Sequence, residues 1–480
     1  MLLVEINEPK WEYDVHSLVK AFYPEHTVKV LSPEQGAQPE GGESCPAAIR
    51  ICHTADEVSV CFDGKEAVKH RWEREPERRK NEFKRFFYQC LAAECGKELP
   101  WGNLTGIRPT KIAMGMIEDG ASKEDVFAMF EGEHFVSREK TELAYDIAQR
   151  EREILSSLHY KDGYSLYIGI PFCPSTCLYC SFTSYPIGAY KKRVEEYVDC
   201  VIKEMRETAC MMAGKILDTV YIGGGTPTTL SPEQLDRLIT SLKEIFDFST
   251  VQEFTVEAGR ADSITEEKLQ VLYRHGVSRI SVNPQTMKEE TLRSIGRAAT
   301  AAQTVEAYKM ARKCGFDNIN MDIILGLPGE EEADVQATID RICELEPDSL
   351  TVHSLAVKRA SKLRRFIEEN GMDMLVNTDA TMMIAAQGAA SMDMNPYYLY
   401  RQKNMSGNFE NVGYAKEGKA GIYNILIMEE VQTIVALGAG SITKRVFEDG
   451  RIERCDNVKD VSLYIEKIDE MIERKRELFR

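Results

Sequence analysis

From residue 165 onward, short apolar runs rich in β-branched residues alternate with longer stretches of helical periodicity. The runs are SLYIGI (165–170), LDTVYIG (217–223), QEFTVEA (252–258), SRISVN (278–283), DNINMDIIL (317–325) and DSLTVHSL (348–355). Parallel neighbours need a crossover between them, so six strand-helix units in succession predict a parallel sheet with helices outside. Six units rather than eight predict an α/β fold in the form of an incomplete (βα)6 barrel. Ligands of such folds gather beyond the carboxyl ends of the strands. The helix starts carry caps: in SPEQL, Ser231 is followed by proline at the first helical position and then by Glu233 and Gln234.

The flanks read differently. Residues 1–90 alternate β-like runs (Leu2 to Ile6, Thr27 to Leu31, Ala48 to His53, Val58 to Phe62) with polar breaks. They predict a small α+β leader domain, with SPEQGAQPEGGES as a mobile loop. EPERRKNEFKRFFYQCLAAECGKEL predicts an amphipathic helix through Phe83, Phe86, Phe87 and Leu91. Pro109 suits the first turn of a further helix, and two more helices follow over 122–158, making 91–160 a helical spacer. The partial barrel is assigned to 161–375, and 376–480 to a C-terminal α+β cap on the substrate side. In that cap IYNILIM predicts a strand and 458–478 a final charged helix.

Composition narrows the class. A formal net charge of −17 argues against a general nucleic-acid binder, because phosphate affinity rests on lysine and arginine. No run approaches the ~20 apolar residues a membrane helix requires. The opening MLLVEINEPKWEYDV lacks the basic flank, apolar core and cleavage site of a secretion signal, and a cytoplasmic location is the expectation. Thirteen scattered cysteines then read as free thiols rather than a disulfide framework.

Candidate chemistry sits just past the first strand. IPFCPSTCLYC places Cys173, Cys177 and Cys180 in one loop with CxxxCxxC spacing, and Pro171 and Pro174 keep that loop irregular. Structural zinc and a closed 4Fe-4S cluster each take four ligands. Three thiolates would hold three irons and leave the fourth open to a substrate or cosubstrate. Three ordinary reduced cysteines is the alternative that spacing alone leaves. After the second strand, GGGTPT (Gly223 to Thr228) lets backbone approach a ligand closely, or makes a tight strand-to-helix turn.

Together YIGIPFCPSTCLYC, YIGGGTPT, FTVEAGR, RISVNPQTM…LRSIGR and FDNINMDIILGLPGE resemble the oxygen-independent coproporphyrinogen III dehydrogenase family of radical S-adenosylmethionine (SAM) enzymes, in its HemZ-type branch. The resemblance covers roughly residues 160 to 450 and implies a 4Fe-4S cluster on Cys173, Cys177 and Cys180. It implies SAM contacts at Tyr167, Gly224, Gly225, Thr226, Glu257, Gln285, Arg297 and Asp322, with Tyr179 stacking nearby. It also implies a radical reaction on a tetrapyrrole, in which a hydrogen leaves a porphyrinogen propionate, carbon dioxide departs and a vinyl group remains. A reductant protein of unknown identity would supply the electron. Propionates call for cations, and the basic run VKRASKLRRF (Lys358, Arg359, Lys362, Arg364, Arg365) is the first candidate, Arg401 with Lys403 the second.

Two departures from the family pattern stand out. Decarboxylating members carry a further cysteine two positions after the third ligand, where this chain has Phe182. Heme-chaperone members carry a His-Asn pair followed by Tyr-Trp, and the comparable run here, Tyr423 to Met428, lacks histidine and tryptophan. The expected activity is decarboxylation of coproporphyrinogen III propionates to vinyls, with radical methyl transfer or ring opening on heme, and heme carriage without turnover, as alternatives; the missing histidine and tryptophan count against the chaperone.

Overall fold

The computed structural model describes residues 1–32, 48–106, 108–357, 361–371, 374–401 and 409–480. The loop predicted after Ser32 lies almost wholly outside the described residues, as do Lys358, Arg359 and Lys403. The chain divides into two units, Met1–Ala148 with Arg401–Glu410, and Gln149–Tyr400 with Asn411–Arg480. No described helix is long and apolar enough to cross a membrane, and every described cysteine is free.

In the first unit five strands pair in the order Val28–Leu31, Leu2–Ile6, Ile49–His53, Glu57–Phe62, Val68–Arg71. The helices Glu12–Phe22 and Arg79–Cys95 bury their apolar faces in the same core, which holds Val15, Leu18, Phe83 and Phe87. The period-two pattern of Ile49–His53 turns Ile49, Ile51 and His53 inward. His53 therefore stands where the pattern calls for an apolar residue. It stacks on Trp11 at 5.6 Å and Trp72 at 6.0 Å, and meets the edge of Phe83 at 4.7 Å.

Both His53 ring nitrogens are buried without a hydrogen-bond partner among the described residues. Burial, with the Lys10 charge as a lesser cause, pushes the imidazole down to about 4. The folded state thus takes up the proton less readily than the unfolded chain. Stability is complete above pH ~6.5 and falls towards pH 4, by at most ~3 kcal/mol. Melting curves between pH 7 and 4.5 are expected to show this loss, and His53→Phe to flatten it. An unchanged slope in the variant would discard the assignment.

In the second unit the predicted strands form as β1 (Gly163–Ile170), β2 (Ile216–Gly224), β3 (Glu253–Gly259), β4 (Arg279–Val282), β5 (Ile319–Leu325) and β6 (Ser349–Ser354). They pair in parallel, each with the next. The sheet extends past β6 through β7 (Asn395–Tyr400) and β8 (Asn411–Ala415), and past β1 through β9 (Thr433–Leu437), β10 (Ile442–Val446) and β11 (Ile452–Asp456). Among the described residues the order is β7-β8-β6-β5-β4-β3-β2-β1-β9-β10-β11, so the barrel stays open. β9 runs parallel to β1, an addition that the six-unit reading did not contain.

A parallel sheet covered on both faces reads as continuous apolar runs. Here the strands alternate. Leu166, Ile168, Val220, Ile222, Ile280 and Val352 are buried on one face. The register sets Tyr167, Tyr221 and Thr255 side by side on the other, followed by Glu257 beside Ser281 and Asp322 beside Thr351. A polar inner face of this kind suits ligand binding better than a packed core.

IYNILIM is not the predicted strand. Ile422–Glu429 is an α-helix, and the buried carboxylate of Glu253 accepts from its first two amides, Ile422 N–H at 2.6 Å and Tyr423 N–H at 3.2 Å. That cap comes from β3 and outweighs the β-branched composition of the segment. The final helix is two, Val461–Glu466 and Ile468–Phe479. They are held to the helix Val194–Met211 by fully buried Glu204, which accepts from Tyr464, Lys475 and Asn457.

Candidate functional site

The cysteine loop leaves the carboxyl end of β1 and is pinned along its whole length. Gly225 N–H donates to the Ile170 carbonyl at 2.8 Å and Thr226 N–H to the Phe172 carbonyl at 2.7 Å, which zips the glycine run to the start of the loop. A Cβ on Gly225 would stand 2.6 Å from the Phe172 carbonyl oxygen, and Gly224 has a φ of +111°. Glycine is needed at both places. Further along, Leu178 N–H donates to the Ile295 carbonyl at 2.9 Å and Ser175 Oγ to the Gly296 carbonyl at 3.0 Å.

Cys173 and Cys177 are buried and Cys180 is half-buried. Burial pushes the Cys173 thiol up to about 11; the Thr226 hydroxyl opposes that, and Cys180 and Cys177 add to it. Thr226 Oγ1 lies 3.4 Å from Cys173, Arg260 Nη1 3.7 Å from Cys177, which also meets the Tyr179 hydroxyl, and Ser184 Oγ 3.7 Å from Cys180. Among the described residues no three His, Cys, Asp or Glu side chains gather tightly enough for a single metal ion.

The predicted SAM contacts fall beside this loop. Arg297 donates to the Asn283 carbonyl at 2.6 Å and to the Tyr179 hydroxyl at 3.3 Å, which fixes Tyr179 between the last two cysteines. Glu257, near the end of β3, accepts from the Tyr221 hydroxyl at 2.5 Å. Burial raises its carboxyl to about 7; that hydrogen bond opposes the rise and the Asp322 charge adds to it. Asp322 on β5 accepts from Asn320 at 2.7 Å and faces His353 at 3.8 Å. Burial would raise it, but hydrogen bonding to His353, with its charge, leaves it below the usual carboxylate range. Gln285 takes a φ of +67°, and its backbone bridges to Asp322 and Ile324 at 2.9 Å each. Tyr167, Tyr221 and Tyr423 stack, the last two at 4.5 Å.

The donor set fits the cofactor it is asked to hold. Ser281 Oγ and Asn283 Oδ1 are buried without a partner among the described residues, on the same strand end as these groups. Carboxylates, a guanidinium and a backbone cradle match the hydroxyls, ammonium and carboxylate of SAM.

Arg359 lies outside the described residues. Arg365 sits on the helix Leu363–Asn370, whose Leu363 N–H donates to the Leu178 carbonyl of the cysteine loop, but its side chain is 84% exposed and pairs with Glu369 at 2.9 Å. Arg401 belongs to the first unit, buried over the Trp101 ring at 5.7 Å and donating to the Leu104 carbonyl. Burial lowers its guanidinium to about 10. Arg260 was not singled out in the sequence, although it stands in the FTVEAGR run. An arginine at a strand's carboxyl end with an aspartate two residues on was the available signal.

The radical SAM superfamily matches residues 167–342. The oxygen-independent coproporphyrinogen-III oxidase-like protein HemZ of Bacillus subtilis is 40% identical over 401 residues, 82% of this chain and 80% of that one. The heme chaperone HemW of Bacillus subtilis is 37% identical over 195 residues, 40% of this chain and 51% of that one. Among solved structures, the Escherichia coli coproporphyrinogen III oxidase HemN, a radical SAM enzyme, superposes with a TM-score of 0.52 at 22% identity, covering 67% of this chain and 72% of that chain.

Proposed function

Since the chain belongs to the HemZ family of oxygen-independent coproporphyrinogen-III oxidase-like proteins, within the radical SAM superfamily, we propose that it oxidatively decarboxylates the propionates of coproporphyrinogen III to vinyl groups. Members of the superfamily use a 4Fe-4S cluster and SAM. When bound, the pair supplies hydrogen-atom abstraction from an unactivated carbon. On this reading Cys173, Cys177 and Cys180 hold the cluster. Gly224, Gly225 and Thr226 line the backbone cradle, Arg297 pairs with a carboxylate, and Glu257, Gln285 and Asp322 take the polar edge of SAM. Tyr167 and Tyr179 pack against it, and the open inner face admits the tetrapyrrole.

The observation that carries the reading is the shared position of these groups. The cysteine loop, the glycine run and Glu257 stand at or towards the carboxyl ends of three adjacent strands, with Asp322 on the same inner face at the middle of β5. The 37% identity to a heme chaperone favours a second reading, heme carriage without turnover. So does Phe182, which is 71% exposed where the resemblance expects a further cysteine.

Cluster-reconstituted protein, incubated without oxygen with SAM, a one-electron reductant and coproporphyrinogen III, is expected to yield a tetrapyrrole that has lost two carboxyl groups. A mass gain or a linear product would redirect the assignment to methyl transfer or ring opening. Stoichiometric heme retention with no product would establish the carrier reading instead.

A further inference from the structure

We infer that Arg260 sets the reduction potential of the cluster, by holding a fixed guanidinium against the sulfur of Cys177. The inference rests on the reading that Cys177 is a cluster ligand.

Around the sulfurs the hydroxyls of Thr226 and Ser184 are neutral, and the Arg260 guanidinium is a charged group in direct contact, on Cys177. Cys177 also meets the Tyr179 hydroxyl and feels the Arg297 charge, but Arg297 donates to Asn283 and Tyr179 rather than to sulfur. The Arg260 side chain is 5% exposed, so its field is little screened by water. Arg260 is also fully committed in geometry. Its Nε and Nη2 fork onto Asp262 at 2.9 and 2.6 Å, and Nη1 donates to the Ser175 carbonyl at 2.9 Å, Ser175 Oγ at 3.0 Å and Cys177 Sγ at 3.7 Å. The Arg260 carbonyl is itself anchored by Ser263 Oγ at 2.7 Å. The positive end therefore points at the sulfur.

Three thiolates on a four-iron cube leave a net negative charge, and reduction adds one more. A nearby cation favours the reduced form, and an N–H donor withdraws charge from sulfur; both raise the potential. Asp262 works in the opposite sense, because its carboxylate opposes added negative charge while it orients the guanidinium. The two residues thus have opposite signs. A mere staple for the loop has no such sign, since loosening either end of the fork would disturb the cluster in the same way.

The test is an anaerobic redox titration of the reconstituted protein, with dithionite as electron donor, followed by electron paramagnetic resonance of the reduced cluster. Arg260→Gln is expected to lower the reduction equilibrium constant about tenfold, 59 mV for one electron. Asp262→Asn, which keeps the guanidinium on Ser175, is expected to move the midpoint upward. Should Arg260→Gln fail to accumulate, Arg260→Lys keeps a charge without the fork and is expected to shift downward by less. Variants with full iron and unmoved midpoints, or shifts of one sign in both, would overturn the inference. Wild-type protein that takes up no iron or sulfide would instead overturn the cysteine reading beneath it.

Discussion

Cys177→Ala is expected to leave the protein without a stable cluster and without turnover. Cys177 is 8% exposed, sits in the middle of the loop and shares its surroundings with both other thiols and with Arg260. Two thiolates hold a four-iron cube by half of its usual ligand set, and the neighbouring carboxylate, Asp262, is taken up by the Arg260 fork. Changes to the partners of a metal ligand cost ~10–100-fold, so removal of the ligand itself costs more. The fold has little stake in this sulfur, because the loop is held by the backbone bonds of Gly225, Thr226 and Leu178. Iron and sulfide per chain after anaerobic reconstitution should therefore collapse while the melting temperature holds. Cys210→Ala, on an exposed position of the helix Val194–Met211, serves as the control and should load fully. A Cys177→Ala protein with its full complement of iron would refute the ligand set.

The strand-helix alternation was legible because each parallel strand and its return helix write their own local period, two then 3.6. It placed β1 to β6 to within a few residues. What failed was non-local. IYNILIM is helical because Glu253, far upstream, satisfies its first amides, and no window around residue 425 contains that carboxylate. β9 was missed because TIVAL is too short to mark itself without its partner β1.

The site divides along the same line. The cysteines and glycines stand close together in the sequence, so spacing alone shows that each set shares one loop. Composition does not show that Arg364 and Arg365 of the basic run face solvent and pair with Glu368 and Glu369. Nor could it show Arg260 reaching across from the third strand end to the loop of the first.

Glu204→Gln is expected to destabilise the folded chain by ~3–5 kcal/mol, the usual result of stranding one member of a buried ion pair. Glu204 and Lys475 are 0% and 1% exposed and meet at 2.6 Å. The carboxylate also accepts from Tyr464 at 2.5 Å, Asn457 at 2.8 Å and Gly438 N–H at 2.9 Å. Burial would raise its pKa, but the Lys475 charge and these bonds hold it below the ordinary value. The stabilisation is therefore present above pH ~4.3 and lost as pH falls further.

The consequence reaches the cysteine loop. Gly438, at a φ of +91°, packs so closely on β1 that a Cβ would stand 2.4 Å from the Gly169 carbonyl oxygen. Tyr197 donates to that same carbonyl at 2.6 Å and accepts from Ala439 N–H at 3.0 Å. Loosening Glu204 frees the Gly438 turn and with it the strand end from which Cys173 departs. Urea midpoints should drop for Glu204→Gln and recover in large part in Glu204→Leu/Lys475→Met, where no charge is left unpaired. Iron retention should follow the same order. A single variant that loses less than ~1 kcal/mol would show that Lys475 finds water or another partner, and the clasp would then carry no weight in holding the loop.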